Sequence, residues 1–168
     1  MTRPHAVNVR RATPADAAAI ARLALEIQDV HVAGHPDLFK PGGGEPHAEI
    51  ASRVVAPEQF YWVATLTDDP VGYAYARVVL EPESLWRYAS RVLLLDQVGV
   101  DARYRSRGIG EALWNAVREA AAAEAVDRVV LNVWSFNRGA RRFYEQLGFT
   151  AFQERMAFEI RPTRDRSR

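Results

Sequence analysis

Arg105-Ser106-Arg107-Gly108-Ile109-Gly110 is the stretch on which the reading of this chain turns. An apolar run precedes it, Val92-Leu93-Leu94-Leu95-Asp96-Gln97-Val98-Gly99-Val100, and a helical pattern from Glu111 onward follows it. A strand that passes through a basic, glycine-bearing loop into a helix is a way to build an anion site. The first amides of a helix have no partner within it and carry partial positive charge. Glycine lets backbone approach a phosphate closely, and arginine adds a planar fork of donors. Alone, the pattern equally fits a plain helix entry flanked by surface arginines. A P-loop requires Gly-Lys-Ser/Thr where this chain has Gly110-Glu111. A dinucleotide fingerprint requires a further glycine and an early strand.

Working outward, residues 71–80 and 91–100 read as strands, the first with Tyr73 and Tyr75 on one side and Ala74 and Ala76 on the other. Phe60-Tyr61-Trp62-Val63-Ala64-Thr65-Leu66 is rich in strand formers, and Asp68-Asp69-Pro70 turns the chain. A short first strand is expected around Val7 and Val9. Thr13-Pro14-Ala15-Asp16 then marks a helix start, with Ile20, Leu23, Ala24 and Ile27 on its buried face. Pro41-Gly42-Gly43-Gly44-Glu45-Pro46 is a loop, and residues 48–55 a second helix. Leu113, Ala116, Val117 and Ala120 give the helix after the basic loop its apolar face. Residues 127–134 read as a strand, 137–147 as a helix stopped by Gly148, and 152–160 as a last strand. The expectation is an α/β (α+β) domain: a mixed, mostly antiparallel central sheet of six to seven strands with helices on both faces. Residues 1–160 form one domain, and 161–168, with Arg161, Arg164, Arg166 and Arg168, a basic disordered tail.

The 168 residues suffice for one core, and the formal net charge of +1 gives no general pull toward nucleic acid. The chain has no cysteine, which excludes disulfides and thiolate catalysis. No apolar run is long enough for a membrane span, no signal peptide is visible, and a cytoplasmic location is expected by default. No histidine and acid spacing suggests a metal site.

A second segment supports a specific reading of the loop. Arg105-x-x-Gly108-x-Gly110, together with Asn137-x-x-Ala140-x-x-Phe143-Tyr144-x-x-x-Gly148-Phe149, resembles the GCN5-related N-acetyltransferases (GNAT). The resemblance spans roughly residues 6 to 160 and implies the GNAT-like acyl-CoA N-acyltransferase fold. It implies acetyl-CoA as cosubstrate, with its pyrophosphate on Arg105, Ser106, Arg107, Gly108, Ile109 and Gly110. Backbone groups of Val98 and Val100 would meet the pantetheine arm, as would Asn137, which is also an ideal helix N-cap. Tyr144 resembles the family's general acid; judged from its position alone, a tyrosine beside Phe143 is a packing residue. The activity implied is transfer of acetyl to a primary amine of a small molecule or peptide by direct attack; the alternative is a non-catalytic acyl-CoA-binding regulatory module. Homodimers are common in the family.

Two departures stand out. Ser106 occupies a position where many members have glycine. The C-terminus offers one strand-like segment where many relatives have two, so either the sheet stops at six strands or a partner supplies the last one. Gly99 fits either a break of the strand from its neighbour or a close packing contact.

Asp96 is the one ionisable group in the apolar run, on the face of Leu94 and Val98 as strand alternation has it. A carboxylate there either faces a cleft, where it would bind or deprotonate the amine, or pairs with an arginine or sits at an edge. His31 follows Ile27 by one turn and reads as a core histidine. His31, His35 and Trp86 are the candidates for lining the acceptor site.

Overall fold

The computed structural model describes residues 6–42 and 47–160. The proposed 161–168 tail and part of the glycine-rich loop lie outside them.

Four strands run antiparallel in chain order: β1 (Asn8–Arg11), β2 (Gln59–Leu66), β3 (Asp69–Glu81) and β4 (Ser90–Val100). The fifth, β5 (Arg128–Leu131), lies parallel to β4 after a helical crossover. Strand alternation sorts the side chains onto two faces. Trp62, Ala64, Ala74, Ala76, Leu93 and Leu95 lie under helix α3 (Ile109–Ala123), whose Ile109, Leu113, Val117 and Ala121 complete that cluster. Tyr61, Val63, Tyr73 and Tyr75 face the other way, onto α1 (Ala17–Gly34) and α2 (His47–Val54). Alanines on one face let α3 lie close, while tyrosines on the other fill the wider space beneath α1 and α2.

The start of α1 follows from local chemistry. Thr13 and Asp16 form a capping box, and Pro14 opens a 3-10 turn that leads into the helix. Asp16 also takes both prongs of the Arg10 guanidinium at 2.8 Å, tying β1 to the helix entry. The last helix, α4 (Arg138–Gln146), begins at Asn137, whose side chain accepts from the Ala140 amide at 3.1 Å. It ends before Gly148, which adopts φ 96°.

Two expectations are corrected. Among the described residues the sheet has five strands, where six to seven were expected, and residues 152–160 form no strand. Their alternating pattern meets the side-chain requirement of a strand, but no neighbouring strand pairs with them among the described residues. The strand expected over 127–134 is confined to Arg128–Leu131, because its only partner among the described residues, β4, stops pairing with it at Leu95 and Leu131.

Candidate active site

The parting of β4 and β5 creates the cleft. Beyond Leu95 and Leu131, β4 continues to Val100 paired with β3 alone, leaving its other edge open. The departure begins there rather than at Gly99. A Cβ on Gly99 would stand 2.6 Å from the Tyr73 ring, so its small size serves a packing contact.

Asp96 sits at the fork, as the extra residue of a β-bulge: Tyr75 pairs with Gln97 and Ala76 with Leu95, leaving Asp96 without a partner. The bulge breaks the simple alternation. Val98 packs in the α3-side cluster, while Asp96 bonds Arg77 Nε at 2.7 Å on the other side of the sheet. Asp96 therefore does not share the face of Val98, and its carboxylate is committed to an ion pair through one oxygen.

The loop after β4 is fastened from below. Asp101 is buried and accepts the Arg103 amide (3.0 Å) and its guanidinium (2.7 and 3.0 Å), with Arg22 of α1 at 3.3 Å. These donors hold its carboxyl well below the usual carboxylate range, the Arg103 side chain contributing most. One turn further along α1, Glu26 accepts the Ala102 amide at 3.0 Å and Arg105 at 3.3 Å. Arg105 also donates to the Val100 carbonyl at 3.0 Å, so it ties the loop to the end of β4 as well as to α1. Arg107 lies over the Tyr104 ring, 5.5 Å from its centroid.

Two left-handed residues then expose the amides. Ser106 has φ 60° and Gly108 φ 78°. Among the described residues, the amides of Gly108, Ile109 and Gly110 donate to no backbone carbonyl, and a Cβ on Gly108 would meet nothing within 4 Å. This is an open, donor-lined cradle of the kind a pyrophosphate requires. The left-handed backbone of Ser106 is one that glycine would hold without strain: that region costs a non-glycine residue about 1–2 kcal/mol.

α4 lies against the cradle. A Cβ on Gly110 would come within 3.0 Å of the Phe143 ring. Tyr144, the next residue, packs on the α3-side cluster and on Phe149, with ring centroids 5.6 Å apart. Burial pushes its phenol up to about 12, so it stays protonated at neutral pH. The Tyr144 hydroxyl makes no hydrogen bond among the described residues. With its oxygen engaged in the N-cap, Asn137 keeps its amide NH2 for another partner.

On the opposite face, α1 crosses the parted strands. Ile27 reaches the Gly99 position, while a Cβ on Gly34 would lie 2.3 Å from the Phe136 ring. There His31 stacks on Phe39 at 4.8 Å, Phe39 meets Trp134 edge-on at 5.2 Å, and His35 lies 5.5 Å from Phe136. His31 is half-buried in this ring cluster rather than a core residue, and burial lowers its pKa below the ordinary histidine value. His35 Nδ1 is 3.2 Å from Asp37. Trp86 is not part of this group. It is 91% exposed on the β3–β4 hairpin loop, at the end of β4 away from the rings. An open depression lined by Leu80, Glu81, Arg91 and Asp127 lies at that same far end.

Sequence reasoning missed Arg22, Glu26, Asp101, Phe39, Trp134 and Phe136. Asp101 carried one usable signal, an acid placed one residue before a 3-10 turn, where a cap belongs. The ring cluster depends on α1 meeting the segment that follows β5, a long-range contact that local sequence does not encode.

A mixed sheet whose parallel strand pair opens beside an amide-lined helix entry agrees with what comparison with known proteins shows. Residues 24–149 match the profile of the Acetyltransferase (GNAT) family. The chain belongs to that family. N-acetylaspartate synthetase from Homo sapiens is 36% identical over 93 residues, 55% of this chain and 28% of that protein. The Xenopus tropicalis protein is 33% identical over the same length, 31% of its own. The chain thus matches less than a third of either relative. Among solved structures, a tetramutant of a Bacillus halodurans protein superposes with a TM-score of 0.85 at 24% identity, covering 91% of this chain and 99% of that one. An aminoglycoside N-acetyltransferase, AAC(6')-Iy in complex with CoA, gives a TM-score of 0.74 at 16% identity over 96% and 99% of the two chains. At such identities these likenesses are of fold. Among the described residues no helix is long and apolar enough to cross a membrane.

Proposed function

We propose that this protein transfers the acetyl group of acetyl-CoA to a primary amine of a small molecule or peptide by direct attack, with Tyr144 as the general acid. The observation that supports this reading is the approach of α4 to the cradle: a Cβ on Gly110 would stand 3.0 Å from the Phe143 ring, and Tyr144 is the next residue on that helix.

Bound acetyl-CoA would supply an activated acyl thioester. The amides of Gly108, Ile109 and Gly110 would face its pyrophosphate, with Ser106 shaping the turn and Arg107 adding charge. Arg105 acts one step back, holding the loop to Val100 and Glu26. The open edge of β4 at Val98 and Val100 would pair with the amides of the pantetheine arm, and Asn137 would donate its free NH2. Tyr144 keeps its proton through neutral pH and would donate to the departing sulfur. Asp96, at the fork, has one oxygen on Arg77 and would use the other to hold the incoming amine, directly or through water. His31 and His35, in their ring cluster, would border the acceptor. That His31 resists protonation favours an uncharged wall beside an amine that must be neutral to attack.

The test is CoA release from acetyl-CoA over an amine panel that includes aspartate and an aminoglycoside, acceptor types suggested by the relatives' names. Tyr144→Phe should lower kcat on the order of 100-fold while CoA affinity stays within about twofold. CoA binding without turnover on any amine would instead support a non-catalytic acyl-CoA-binding module.

A further inference from the structure

The β-bulge does more than place Asp96. Regular alternation would send Asp96 and Gln97 to opposite faces of the sheet. Instead both reach the α1 side: Asp96 Oδ2 accepts from Arg77 Nε at 2.7 Å, and Gln97 Oε1 accepts from the Tyr73 hydroxyl at 2.6 Å. Tyr73, Tyr75 and Arg77 share that face by alternation along β3.

Each of the three polar side chains at the bulge keeps one end unused. Arg77 meets Asp96 through Nε alone, not through the two-bond fork that an arginine and a carboxylate can close on each other. Among the described residues, Arg77 Nη1 and Nη2, Asp96 Oδ1 and Gln97 Nε2 have no hydrogen-bond partner. The side chains of Arg77 and Asp96 are 43% and 28% exposed, so a solute can reach them.

Donors for a carboxylate thus stand beside an acceptor for an ammonium, and an α-amino acid carries both groups on one carbon. A plain ammonium would meet the charge of Arg77 as well as that of Asp96, and repulsion would offset much of the attraction. A peptide N-terminus would bring a neutral amide to the guanidinium. A zwitterion leaves neither charge unmatched. The arrangement also suits the chemistry. The amine must lose its proton before it attacks, and a carboxylate on Arg77 holds the substrate through that loss.

We propose that the acceptor is a free α-amino acid, its carboxylate held by Arg77 Nη1 and Nη2 with Gln97 Nε2, and its amine by Asp96 Oδ1. This rests on the acetyltransferase reading. The N–C bond forms as the C–S bond breaks. Of the two protons the ammonium gives up, one goes to solvent and the other balances the proton that sulfur takes from Tyr144, leaving an N-acetyl amino acid and CoA.

The test compares each proteinogenic α-amino acid with its own α-carboxamide, by CoA release and by calorimetric titration into the full chain saturated with CoA. At least one acid should exceed its amide about 10- to 100-fold in kcat/KM, the worth of a charged hydrogen bond. Arg77→Gln should bring that ratio close to one with unchanged circular dichroism, and Gln97→Leu should lower it severalfold. The wild-type ratio decides the matter even if Arg77→Gln does not fold. Amides that match or beat their acids throughout overturn the proposal and leave acetyl transfer standing. A preference for the acid that survives Arg77→Gln overturns it too, as does a chain that neither binds nor acetylates any acid. An acid that binds where its amide does not, with no CoA released, supports the site and counts against the transfer reading instead.

Discussion

Gly99 shows how much one absent methyl group can decide. Its place beside Tyr73 leaves 2.6 Å for a Cβ, and Tyr73 is wholly buried. Gly99→Ala should therefore destabilise the protein by about 1–3 kcal/mol, read as a lower urea midpoint at constant m. Ser106 is the opposite case. It holds φ 60° without the freedom of glycine, so Ser106→Gly should stabilise by about 1 kcal/mol and leave CoA binding no weaker. Gly108→Asp puts a negative group into the cradle and should weaken CoA binding at least tenfold by calorimetry; an unchanged affinity would count against the loop's role. For Tyr144 the pH dependence has a defined sign. Its folded pKa lies above the unfolded value, so the stability it contributes is full below about pH 10 and is lost as pH rises toward 12. Accordingly, a fall in turnover below pH 10 would have to be assigned to another group.

At the scale of elements, α1 is a clamp as well as a core helix. Arg22 and Glu26, one turn apart, grip the segment that joins β4 to the cradle. Glu26→Ala should raise the KM for acetyl-CoA severalfold and leave kcat nearly unchanged, because it loosens the loop without touching the acid. Asp16 gives the helix entry an acid limit. Its carboxyl is lowered to about 2, chiefly by Arg10, so the stability it adds above about pH 4 should drain away as pH falls toward 2. A thermal melt series over that range checks it, with Asp16→Asn flattening the slope. Much of this level was readable beforehand. The Thr13–Asp16 start, the Asn137 cap, the split of Tyr73 and Tyr75 from Ala74 and Ala76, and the helix after Gly110 rest on local chemistry, which the sequence displays directly. The bulge at Asp96 was not readable, since an inserted residue shifts alternation without leaving a mark in composition. Nor was the fate of residues 152–160, because a strand exists only by virtue of a neighbour.

Across the whole molecule, one sheet separates two unlike halves. The α3 side holds the cradle, Tyr144 and the tight alanine-lined core; the α1 side holds the rings, Asp96 and Arg77. Donor and acceptor would thus arrive from opposite faces and meet where β4 and β5 part. Saturating CoA at about 100 times its Kd should stabilise the fold by about 2.7 kcal/mol, and ATP at the same concentration should not.

The open edge of β4 has one more consequence. Val98 and Val100 spend their side chains in the α3-side core, while β4's main chain beside them has no strand across from it and, of its carbonyls there, Arg105 takes that of Val100. If a ligand docks there, it touches only atoms that every residue type possesses. Swapping Val98 for isoleucine would then alter melting behaviour and leave ligand affinity where it was. A substitution scan would score these positions as ordinary interior, and the contact would surface only when an amide is replaced by an ester.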